Sequence, residues 1–360
     1  MAHQGWSPEV AGGLACPLCG ATARLAPESL PGYQEPATFD LATCATCDVA
    51  FIPASDVDPG PLYERIYAQV ECIPGYERYH RYSRGVLKAK DPLHYLAQAE
   101  DMYWAVAEYL AGAGAERAPR IIEVGSGIGY LTYALARRGF DVTGIDLAES
   151  AVTRARRAYG DLYECADVAD LARAASRRYD LVIMTEVIEH VADPEGLLAA
   201  LGPILSPGGE ILVTTPDKSY YPPDAVWETE PPPVHLWWFS ETALRFLARR
   251  VGYRVRTLDF GRYNRSHYCL PPPVGNRAAP PRPPVLDVEG NVREDRAVSG
   301  EGSRLRSLAR DLGVTGVVRS LQARLATAMV GPHRRRPTLC AIFSKDPARA
   351  AEVRSVAQAS

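Results

Sequence analysis

The sequence predicts an α/β protein built on a mostly parallel sheet, with a small metal-binding module before it. Three observations support this prediction. A buried strand runs into a glycine-rich turn and a helix at 121–136, strands and helices then alternate to about residue 260, and two C-x-x-C pairs lie within the first 50 residues. The chain has 360 residues, 47% of them hydrophobic, which is enough for one large α/β domain with attachments.

Four cysteines near the amino terminus form the two C-x-x-C pairs, Cys16 with Cys19 and Cys44 with Cys47. Two such pairs can surround one ion with four thiolates, the tetrahedral donor set that favours Zn²⁺ in a closed structural site. A redox pair would need a thioredoxin-like βαβ context, whereas glycines and prolines surround these cysteines. We therefore predict a four-cysteine zinc ribbon over residues 1–60.

Tyrosines are concentrated between the ribbon and the core, in a helical bridge that we place at 61–118. A tyrosine has an apolar body and a hydroxyl group, which suits a segment that covers a partly polar ligand as a lid. The helical spacing of these tyrosines fits ordinary packing equally well. Within the bridge, Tyr76 and Tyr79 are the candidates for contact with a substrate.

The core, which we place at 119–260, begins with the strand and turn at 121–130. The glycines of the turn, Gly125, Gly127 and Gly129, allow the backbone to approach a bound ligand closely. This position, beyond the carboxyl end of a parallel strand, is where open α/β sheets bind nucleosides. A dinucleotide fingerprint requires its third glycine where this chain has Tyr130, so the turn departs from that fingerprint.

Acidic residues follow the next two predicted strands. Asp146 ends the second strand, 17 positions after Gly129 (146 − 129), near the place where nucleoside-binding domains hold an acid against ribose hydroxyls. Asp146 can also cap the helix that begins near residue 148, and the two roles are compatible. Asp167 and Val168 follow the third strand, in a turn that can equally well begin a helix.

The order of these motifs across 120–260 resembles that of class I S-adenosylmethionine-dependent methyltransferases. The resemblance rests on E-x-G-x-G-x-G from Glu123, the acid after the second strand, the Asp-Val pair, the E-x-x-E-H run 186–190 and the P-G-G run 207–209 before a fifth strand. It implies a Rossmann-like core with a seven-stranded mixed sheet, an enzyme, and S-adenosyl-L-methionine as the methyl donor. The cofactor contacts that it implies are Glu123, Gly125, Gly127, Gly129, Asp146, Leu147, Asp167, Val168 and Glu186.

Glu186, Glu189 and His190 follow the fourth strand, at the rim where this resemblance places the methyl acceptor. If the segment is helical, all three side chains lie on one side of a turn. We expect His190 to act as a general base that a carboxylate orients.

Two alternatives for this segment stay open. In one, these three residues and His235, which is also a candidate substrate contact, hold a divalent ion such as Mg²⁺ that acidifies an acceptor hydroxyl. This arrangement resembles the E-x-x-E-H metal sites of ubiquinone-pathway O-methyltransferases and small-RNA terminal 2′-O-methyltransferases. In the other, the segment has a structural capping role, with His190 buried and Glu189 solvated.

The core is interrupted after the strand predicted at Tyr253–Phe260. The strand that we expect to pair with it in antiparallel orientation comes much later in the chain, at Thr338–Ser344. We therefore assign 337–346 as the last core strand and 347–360 as a tail. A long connection inside a compact domain is usually functional or disordered. We therefore expect the insertion at 261–336 to be partly disordered and to serve as a substrate lid or a partner surface.

The combination of ribbon and core resembles the zinc-ribbon methyltransferases of bacterial sugar and secondary-metabolite pathways, including C-methyltransferases of nucleotide-linked keto-sugars. This resemblance fades after residue 261. It implies C- or O-methylation of a small polar acceptor, such as a nucleotide-linked sugar or a natural-product intermediate. The alternatives are metal-assisted 2′-O-methylation of RNA and a non-catalytic binding subunit with a methyltransferase fold.

Charge and hydropathy limit the classes of binding partner that we expect for this protein. The formal charge of −3 gives no overall basic field, which counts against nucleic acid as a partner. No apolar run approaches the length of a membrane span, and the first residues do not resemble a secretion signal. We expect a cytoplasmic protein, and the sequence does not determine its oligomeric state.

Overall fold

The computed structural model describes residues 9–10, 13–53, 59–112, 118–174, 177–220, 230–267, 283–295 and 336–346. Two main sheets carry the fold, one of six short strands and one of seven strands. Among the described helices, none combines the length and the apolar character needed to cross a membrane.

Short strands dominate the amino-terminal module. They are β1 (Glu9–Val10), β2 (Gly13–Ala15), β3 (Thr22–Leu25), β4 (Leu30–Pro31), β5 (Thr38–Phe39), β6 (Ala42–Cys44) and β7 (Val49–Phe51). Antiparallel pairing joins β1, β2, β3, β6 and β7 in that order, and β4 and β5 form a separate two-stranded sheet. Strands this short bury little apolar surface, so the module depends for stability on its junction with the larger domain and on any metal that it binds.

Four helices lead from the module to the large sheet: α1 (Gly60–Ala68), α2 (Glu77–Lys88), α3 (Pro92–Ala99) and α4 (Asp101–Gly112). The side chain of Asp91 accepts a hydrogen bond from the backbone amide of His94, and Pro92 occupies the first turn, so the start of α3 is well defined. Apolar residues of α2, α3 and α4 share one buried cluster with apolar residues at 121–135 of the large domain.

The large sheet begins with five parallel strands: β8 (Arg120–Val124), β9 (Asp141–Asp146), β10 (Tyr163–Cys165), β11 (Tyr179–Thr185) and β12 (Leu205–Pro216). Between them lie α5 (Tyr130–Arg137), α6 (Glu149–Tyr159), α7 (Val168–Ala174) and α8 (Pro194–Leu201). The strands lie side by side in the order β10, β9, β8, β11, β12. Central strands of such a sheet are covered on both faces, which explains the near-continuous apolar runs of β8 and β11.

An antiparallel edge completes the sheet. After β12 come β13 (Trp237–Trp238), α9 (Glu241–Arg250), β14 (Tyr253–Thr257), α10 (Gly261–Asn264) and β15 (Thr338–Lys345). Strand β15 lies between β12 and β14 and is antiparallel to both. The predicted seven-stranded mixed sheet is therefore confirmed, and its last strand begins at Thr338, as the sequence analysis places it. The parts of the insertion at 268–282 and 296–335, and the tail at 347–360, lie outside the described residues.

Strand β13 joins the two main sheets. It pairs with β7, so that Trp237 lies opposite Phe51 and Trp238 opposite Ala50. The rings of Trp237 and Phe51 stack with their centroids 5.7 Å apart. Buried residues of the module, including the cysteines Cys16, Cys44 and Cys47, belong to the same apolar cluster as the core of the large domain. The amino-terminal module is thus built onto the large domain through the segment that follows β12.

Residues 283–295 of the insertion return to the amino-terminal part of the chain. The side chains of Val285 and Leu286 are buried in one cluster with Tyr33 and with Leu62 and Ile66 of α1. The backbone amide of Leu286 donates a hydrogen bond to the carbonyl oxygen of Tyr33 over 3.0 Å. This segment therefore packs on the side of α1 that the module also contacts.

Candidate active site

The glycine turn after β8 has the left-handed backbone that its glycines permit. The φ angle is +72° at Gly125 and +50° at Gly127. A Cβ atom at Gly125 would lie 2.5 Å from Cγ2 of Val187, so the loop after β11 packs directly on this glycine. A Cβ atom at Gly127 would instead meet the hydroxyl of Tyr67 on α1, at 3.3 Å. The turn therefore lies between the loop after β11 and α1.

Asp146 links the glycine turn to the start of α6. Its Oδ2 accepts a hydrogen bond from the backbone amide of Gly127 over 2.8 Å, and its Oδ1 accepts one from the amide of Ala148 over 2.9 Å. Burial raises the pKa of Asp146, and the backbone amides oppose that rise. Each carboxylate oxygen has a second lone pair, so two acceptor positions stay available for a diol. Asp146 thus bonds the residue before α6, whereas the amides of Glu149 and Ser150 in the first turn of α6 donate to Glu64, so the predicted cap of this helix by Asp146 is not formed. Contact of Asp146 with ribose remains a prediction.

Glu123 is buried and turned toward α5. Its carboxylate accepts a hydrogen bond from the hydroxyl of Thr132. Burial raises its pKa to about 8. The carboxyl group is therefore mostly protonated at neutral pH, and its described partner is a helix residue. The predicted contact of Glu123 with a cofactor amine or ribose remains a prediction.

Because Glu123 is buried, we expect the stability of the folded protein to depend on pH. Because the pKa of Glu123 is raised from 4.5 in the unfolded chain to about 8 in the folded chain, its contribution is full below pH 4.5 and is lost as pH rises through about 8. Across this window the carboxyl group lowers the free energy of unfolding by about 1.4 kcal/mol per pH unit. We expect Glu123→Gln to remove this slope, so its unfolding temperature should exceed that of the native protein by more at about pH 9 than at about pH 5.

The control for this comparison is Glu164→Gln, because Glu164 is an exposed acid on β10. Thermal unfolding of the three proteins over the pH range is the measurement. A constant difference between Glu123→Gln and the native protein at all pH values would show that Glu123 titrates normally in the folded state.

Three further predicted cofactor contacts, Leu147, Asp167 and Val168, follow the carboxyl ends of β9 and β10. Leu147 is 71% exposed, which is unusual for a leucine and leaves its side chain available for an apolar contact. Asp167 is exposed, and its Oδ1 accepts a hydrogen bond from the amide of Ala169 over 2.7 Å at the start of α7. Val168 is buried beside it. The structure thus brings Asp146, Leu147 and Asp167 to one edge of the sheet.

The segment after β11 is not a helix, so the helical geometry assumed for Glu186, Glu189 and His190 is wrong. Glu186 has a left-handed backbone with φ +54°, and a turn follows. The backbone amide of Glu186 donates to the carbonyl oxygen of Thr214 over 3.0 Å, which holds the bend against β12. The turn nevertheless brings functional groups together: ligand atoms of Glu189, His190 and His235 all lie within 4.8 Å of one another.

The ring orientation of His190 is fixed by a backbone carbonyl. Its Nδ1 lies 2.6 Å from the carbonyl oxygen of Val234. A carbonyl oxygen can only accept, so we assign the proton to Nδ1 and the lone pair to Nε2; the backbone carbonyl of Glu186 is a second hydrogen-bond partner of the ring. This Nε2 lies 3.9 Å from Oε1 of Glu189. Burial lowers the pKa of His190 to about 4, so the imidazole is neutral at pH 7.

Glu189 is a fully buried acid. Among the described residues neither of its oxygens has a hydrogen bond of good geometry, but the Thr215 hydroxyl and the Glu186 carboxyl lie close enough to shift its pKa in opposite directions. Burial, followed by the negative charge of Glu186, raises its pKa well above the ordinary value. The solvated Glu189 that the structural alternative assumes is therefore wrong. A carboxylate and the Nε2 lone pair of His190 repel each other at this distance unless a proton or a cation lies between them.

Two tyrosines of α1 that the sequence analysis does not single out contact the site. The hydroxyl of Tyr63 lies 2.9 Å from Nδ1 of His190 and donates to the carbonyl oxygen of Val234 over 3.1 Å. Tyr67 lies against Gly127. The two tyrosines are four positions apart, which places them on one side of the helix. This spacing can be read from the sequence and indicates that Tyr63 and Tyr67 share one side of the helix. The sequence does not indicate which groups of the site that side contacts.

The two predicted substrate tyrosines have different surroundings. Tyr76 is buried in the apolar cluster with Tyr33 and Ile73. Tyr79 packs between Tyr76 and Tyr130, with ring centroids 5.4 and 6.3 Å away, and its hydroxyl accepts a hydrogen bond from Arg78. Tyr79 therefore lies beside the end of the glycine turn, whereas Tyr76 supports it from the core.

The four cysteines of the amino-terminal module form one cluster. Their sulfur atoms all lie within 4.8 Å of one another, and the pairs Cys16–Cys47 and Cys19–Cys44 have sulfur atoms 3.5 Å apart. Four thiolates at about 2.3 Å from a tetrahedral ion stand roughly 3.8 Å apart, so this spacing fits such an ion. The cluster can hold a metal ion, and the chemistry of four sulfur donors suits Zn²⁺.

Comparison with known proteins relates the core to one family. Residues 90–258 match the family described as "Methyltransferase domain". Curated relatives include the ubiquinone biosynthesis O-methyltransferases of Bordetella avium, 36% identical over 112 residues, and of Neisseria meningitidis serogroup C, 36% identical over 119 residues. These alignments cover 30% and 31% of this chain and 46% and 50% of the relatives. The chain thus spans about half the length of these relatives.

Solved structures that are similar to this chain include the following two. One is magnesium protoporphyrin IX methyltransferase from Synechocystis with bound S-adenosylmethionine, at 20% identity and a TM-score of 0.37, covering 57% of this chain and 92% of that one. The other is the complex between the Haloferax volcanii Trm112 methyltransferase activator and a putative methyltransferase, at 20% identity and a TM-score of 0.41, covering 79% and 97%. The match of residues 90–258 to the methyltransferase-domain family and the seven-stranded mixed sheet show that this part of the chain has the class I methyltransferase fold.

Proposed function

We propose that this protein transfers the methyl group of S-adenosyl-L-methionine to an oxygen atom of a small hydroxylated acceptor. The observation that carries the proposal is the direct packing of the loop after β11 on the glycine turn, with Val187 against Gly125. This packing puts Glu189 and His190 next to the expected donor site. The O-methyltransferase names of the relatives support oxygen as the acceptor atom.

The residues around the glycine turn fit the methyl donor. Asp146 keeps free lone pairs after binding two backbone amides, which suits ribose hydroxyls. Exposed Leu147 and buried Val168 offer apolar surface for adenine, and exposed Asp167 offers an acceptor for its amine. Gly127 leaves room for close approach of the donor to the backbone. The bound donor supplies an activated methyl group on a sulfonium, and the protein aligns it with the acceptor and excludes water.

His190 has the protonation state that a general base requires. Its Nδ1 proton is held by the carbonyl oxygen of Val234, so Nε2 can receive a proton from an acceptor hydroxyl. A pKa of about 4 makes this imidazole a weak base at neutral pH, because base catalysis is most effective when the pKa lies near the working pH. His190 alone is therefore a modest activator of a hydroxyl group.

The buried Glu189 favours a second mode of activation, in which the cluster holds a divalent cation. Glu189, His190 and His235, with Glu186 as a neighbouring acid, offer a nitrogen and oxygen donor set of the kind that Mg²⁺, Mn²⁺ or Zn²⁺ accepts. A bound cation would lower the pKa of an acceptor hydroxyl. It would also take the place of the proton that the raised pKa of Glu189 retains, so that the carboxylate and the Nε2 lone pair of His190 would both face the cation. Because the ligand atoms of Glu189, His190 and His235 lie within 4.8 Å of one another and no described residue makes a hydrogen bond of good geometry to Glu189, we favour this mode over His190 acting alone.

We further propose that the acceptor is a small metabolite, such as a nucleotide-linked sugar or a natural-product intermediate, and that the four cysteines hold a structural Zn²⁺. Thiolates remain free to bind zinc in a reducing compartment, which fits a cytoplasmic location. The net charge of −3 favours a small acceptor over RNA. A non-catalytic binding subunit would bind the donor without transferring its methyl group.

The experiment compares His190→Ala and Glu189→Gln with the native protein and with His94→Ala, a control at an exposed position on α3. Mass spectrometry measures methyl transfer to a panel of hydroxylated metabolites and to a structured RNA, and calorimetry measures donor affinity. We expect both cluster variants to lower turnover about a hundredfold or more while donor affinity stays near that of the native protein.

A chelator distinguishes the two modes of activation, with the zinc content of the cysteine cluster checked after treatment. If the cluster holds a cation, chelation abolishes activity and Mg²⁺ or Mn²⁺ restores it. If His190 acts alone, activity is insensitive to the chelator and Glu189→Gln retains most of its turnover. Native turnover in both cluster variants would reject a catalytic role for the cluster, and failure of the native protein to bind the donor would reject methyl transfer.

A further inference from the structure

Tyr63 of α1 contacts the acid–histidine cluster, which consists of Glu189, His190 and His235, without belonging to it. Its ring meets the ring of His190 edge-on, with centroids 5.9 Å apart, and its hydroxyl lies 2.9 Å from Nδ1 of His190. The Nδ1–H group of His190 donates a hydrogen bond to the carbonyl oxygen of Val234, so Nδ1 cannot accept one from Tyr63. The Tyr63 hydroxyl therefore donates to the same carbonyl oxygen, 3.1 Å away. Both side chains thus donate to the same carbonyl oxygen, which has a lone pair for each.

Helix α1 also fixes the position of Val234 itself. The Val234 side chain is fully buried in one apolar cluster with Leu62 and Ile66, which lie on either side of Tyr63 in the helix. The carbonyl that sets the tautomer of His190 is therefore held by α1 in two ways, by packing and by the Tyr63 hydrogen bond. A shift of α1 would move this carbonyl relative to the imidazole and release the Nδ1 proton from its acceptor.

The same helix is docked on the donor side of the site. Tyr67, one turn after Tyr63, lies against Gly127. The carboxylate of Glu64 accepts hydrogen bonds from the backbone amides of Glu149 and Ser150, over 2.8 and 3.3 Å, at the start of α6. These amides follow Asp146 by a few positions, so α1 contacts the elements that are expected to hold the ribose.

From this arrangement we infer that Tyr63 is a positioning residue for His190, and that α1 transmits docking at the donor site to the acceptor site. When Tyr67 and Glu64 seat the helix on the glycine turn and α6, Tyr63 and Val234 hold His190 with its Nε2 lone pair facing Glu189. When the helix is undocked, the imidazole loses this orientation. The catalytic consequence rests on the proposed function, whereas the effect on the imidazole does not.

The first test removes only the hydroxyl. In Tyr63→Phe the ring still packs, so the fold is expected to persist, and Tyr109→Phe is the matched control because its hydroxyl donates to Glu210 at a distant position. The readout is the nitrogen NMR spectrum of ¹⁵N-histidine-labelled full-length protein, with the His190 signals assigned by their loss in His190→Gln. The spectra are recorded on protein freed of divalent cations at Glu189, His190 and His235, because a cation on Nε2 would hold the Nδ1–H tautomer by itself. We expect a single Nδ1–H tautomer in the native protein and in Tyr109→Phe, and a mixture of tautomers in Tyr63→Phe.

The second test undocks the helix from the donor side. Glu64→Ala removes the carboxylate from the α6 amides but leaves Tyr63 in place. We expect its His190 signals to shift toward those of Tyr63→Phe, and saturating S-adenosylhomocysteine to restore the native spectrum in Glu64→Ala but not in Tyr63→Phe. With an identified acceptor, Tyr63→Phe should lower kcat about 10- to 100-fold with little change in KM for the donor.

The inference is overturned if Tyr63→Phe shows the same single His190 tautomer as the native protein, or if Glu64→Ala leaves the His190 signals unchanged. These outcomes differ from a failure of the proposed function. If the native protein does not bind S-adenosylhomocysteine, the methyl-transfer proposal fails, while the tautomer of His190 in the ligand-free protein still decides the role of Tyr63.

Discussion

Replacing Gly125 by valine is expected to abolish binding of S-adenosylmethionine and to displace the acid–histidine loop at the same time. The native backbone has φ +72° here, and a Cβ atom would lie 2.5 Å from Cγ2 of Val187, a distance that requires movement of the loop. Calorimetry with S-adenosylhomocysteine, together with thermal unfolding, measures the two effects. The control is Gly139→Val. Gly139 has a similar φ of +90°, but within the described part of the chain no atom other than those of its chain neighbours lies within 4 Å of an added Cβ.

The control variant carries the backbone strain of a left-handed residue, about 1–2 kcal/mol, without the steric clash. It should therefore lose some stability and keep its affinity for the ligand. Because Gly125→Val is the more disruptive change, Gly127→Val is a second test variant. The described atom nearest to its added Cβ is the hydroxyl oxygen of Tyr67, at 3.3 Å, so the sheet should persist while the donor loses its close approach to the backbone. Native affinity for S-adenosylhomocysteine in both Gly125→Val and Gly127→Val would reject the assigned donor site.

Replacing Cys44 by serine is expected to remove zinc and to destabilise the whole protein. A structural zinc site contributes about 10 kcal/mol of apparent binding free energy, so loss of one thiolate should lower the unfolding temperature strongly. The effect should reach the active site, because β6, β7 and β13 are consecutive neighbours in one sheet. The backbone amides of Leu236 and Trp237 at β13 donate to the carbonyl oxygen of Glu189, over 2.8 and 3.1 Å.

Metal analysis by mass spectrometry and thermal unfolding test this expectation, with Cys72→Ser as the control because Cys72 is an exposed cysteine outside the cluster. The native protein and the control should contain about one zinc per chain, and Cys44→Ser should contain little. If Cys44→Ser retains the zinc and the unfolding temperature of the control, the four cysteines do not form a structural zinc site.

The sheet could be predicted from the sequence because its strands carry local signals. Apolar runs such as 121–124 and 179–184 end in a glycine turn or a polar loop, and helical patterns separate them. The positions of Asp146 and Gly127 follow from the same local pattern, and the structure joins them by a hydrogen bond. Local sequence patterns do not predict the pairing of β13 with β7, because Trp237 and Phe51 are far apart in the sequence and meet only in the tertiary fold.

The geometry of the acid–histidine cluster could not be predicted for the same reason. The spacing of Glu186, Glu189 and His190 suits a helix, but packing of Val187 on Gly125 and the bond to Thr214 impose a bend instead. The groups that orient His190, Tyr63 and Val234, lie 127 and 44 positions away in the sequence. A neutral imidazole beside a fully buried acid is thus a property of the folded chain.

A crystal structure of the protein with bound S-adenosylhomocysteine tests the central claim most directly, because that claim joins the donor site and the acid–histidine cluster into one active site. We expect the ribose hydroxyls to bind Asp146, and the sulfur atom to face the space bordered by Glu189 and His190. Binding of the ligand elsewhere, or with its sulfur directed away from Glu189 and His190, would contradict the assignment of this cluster as the methyl-acceptor site.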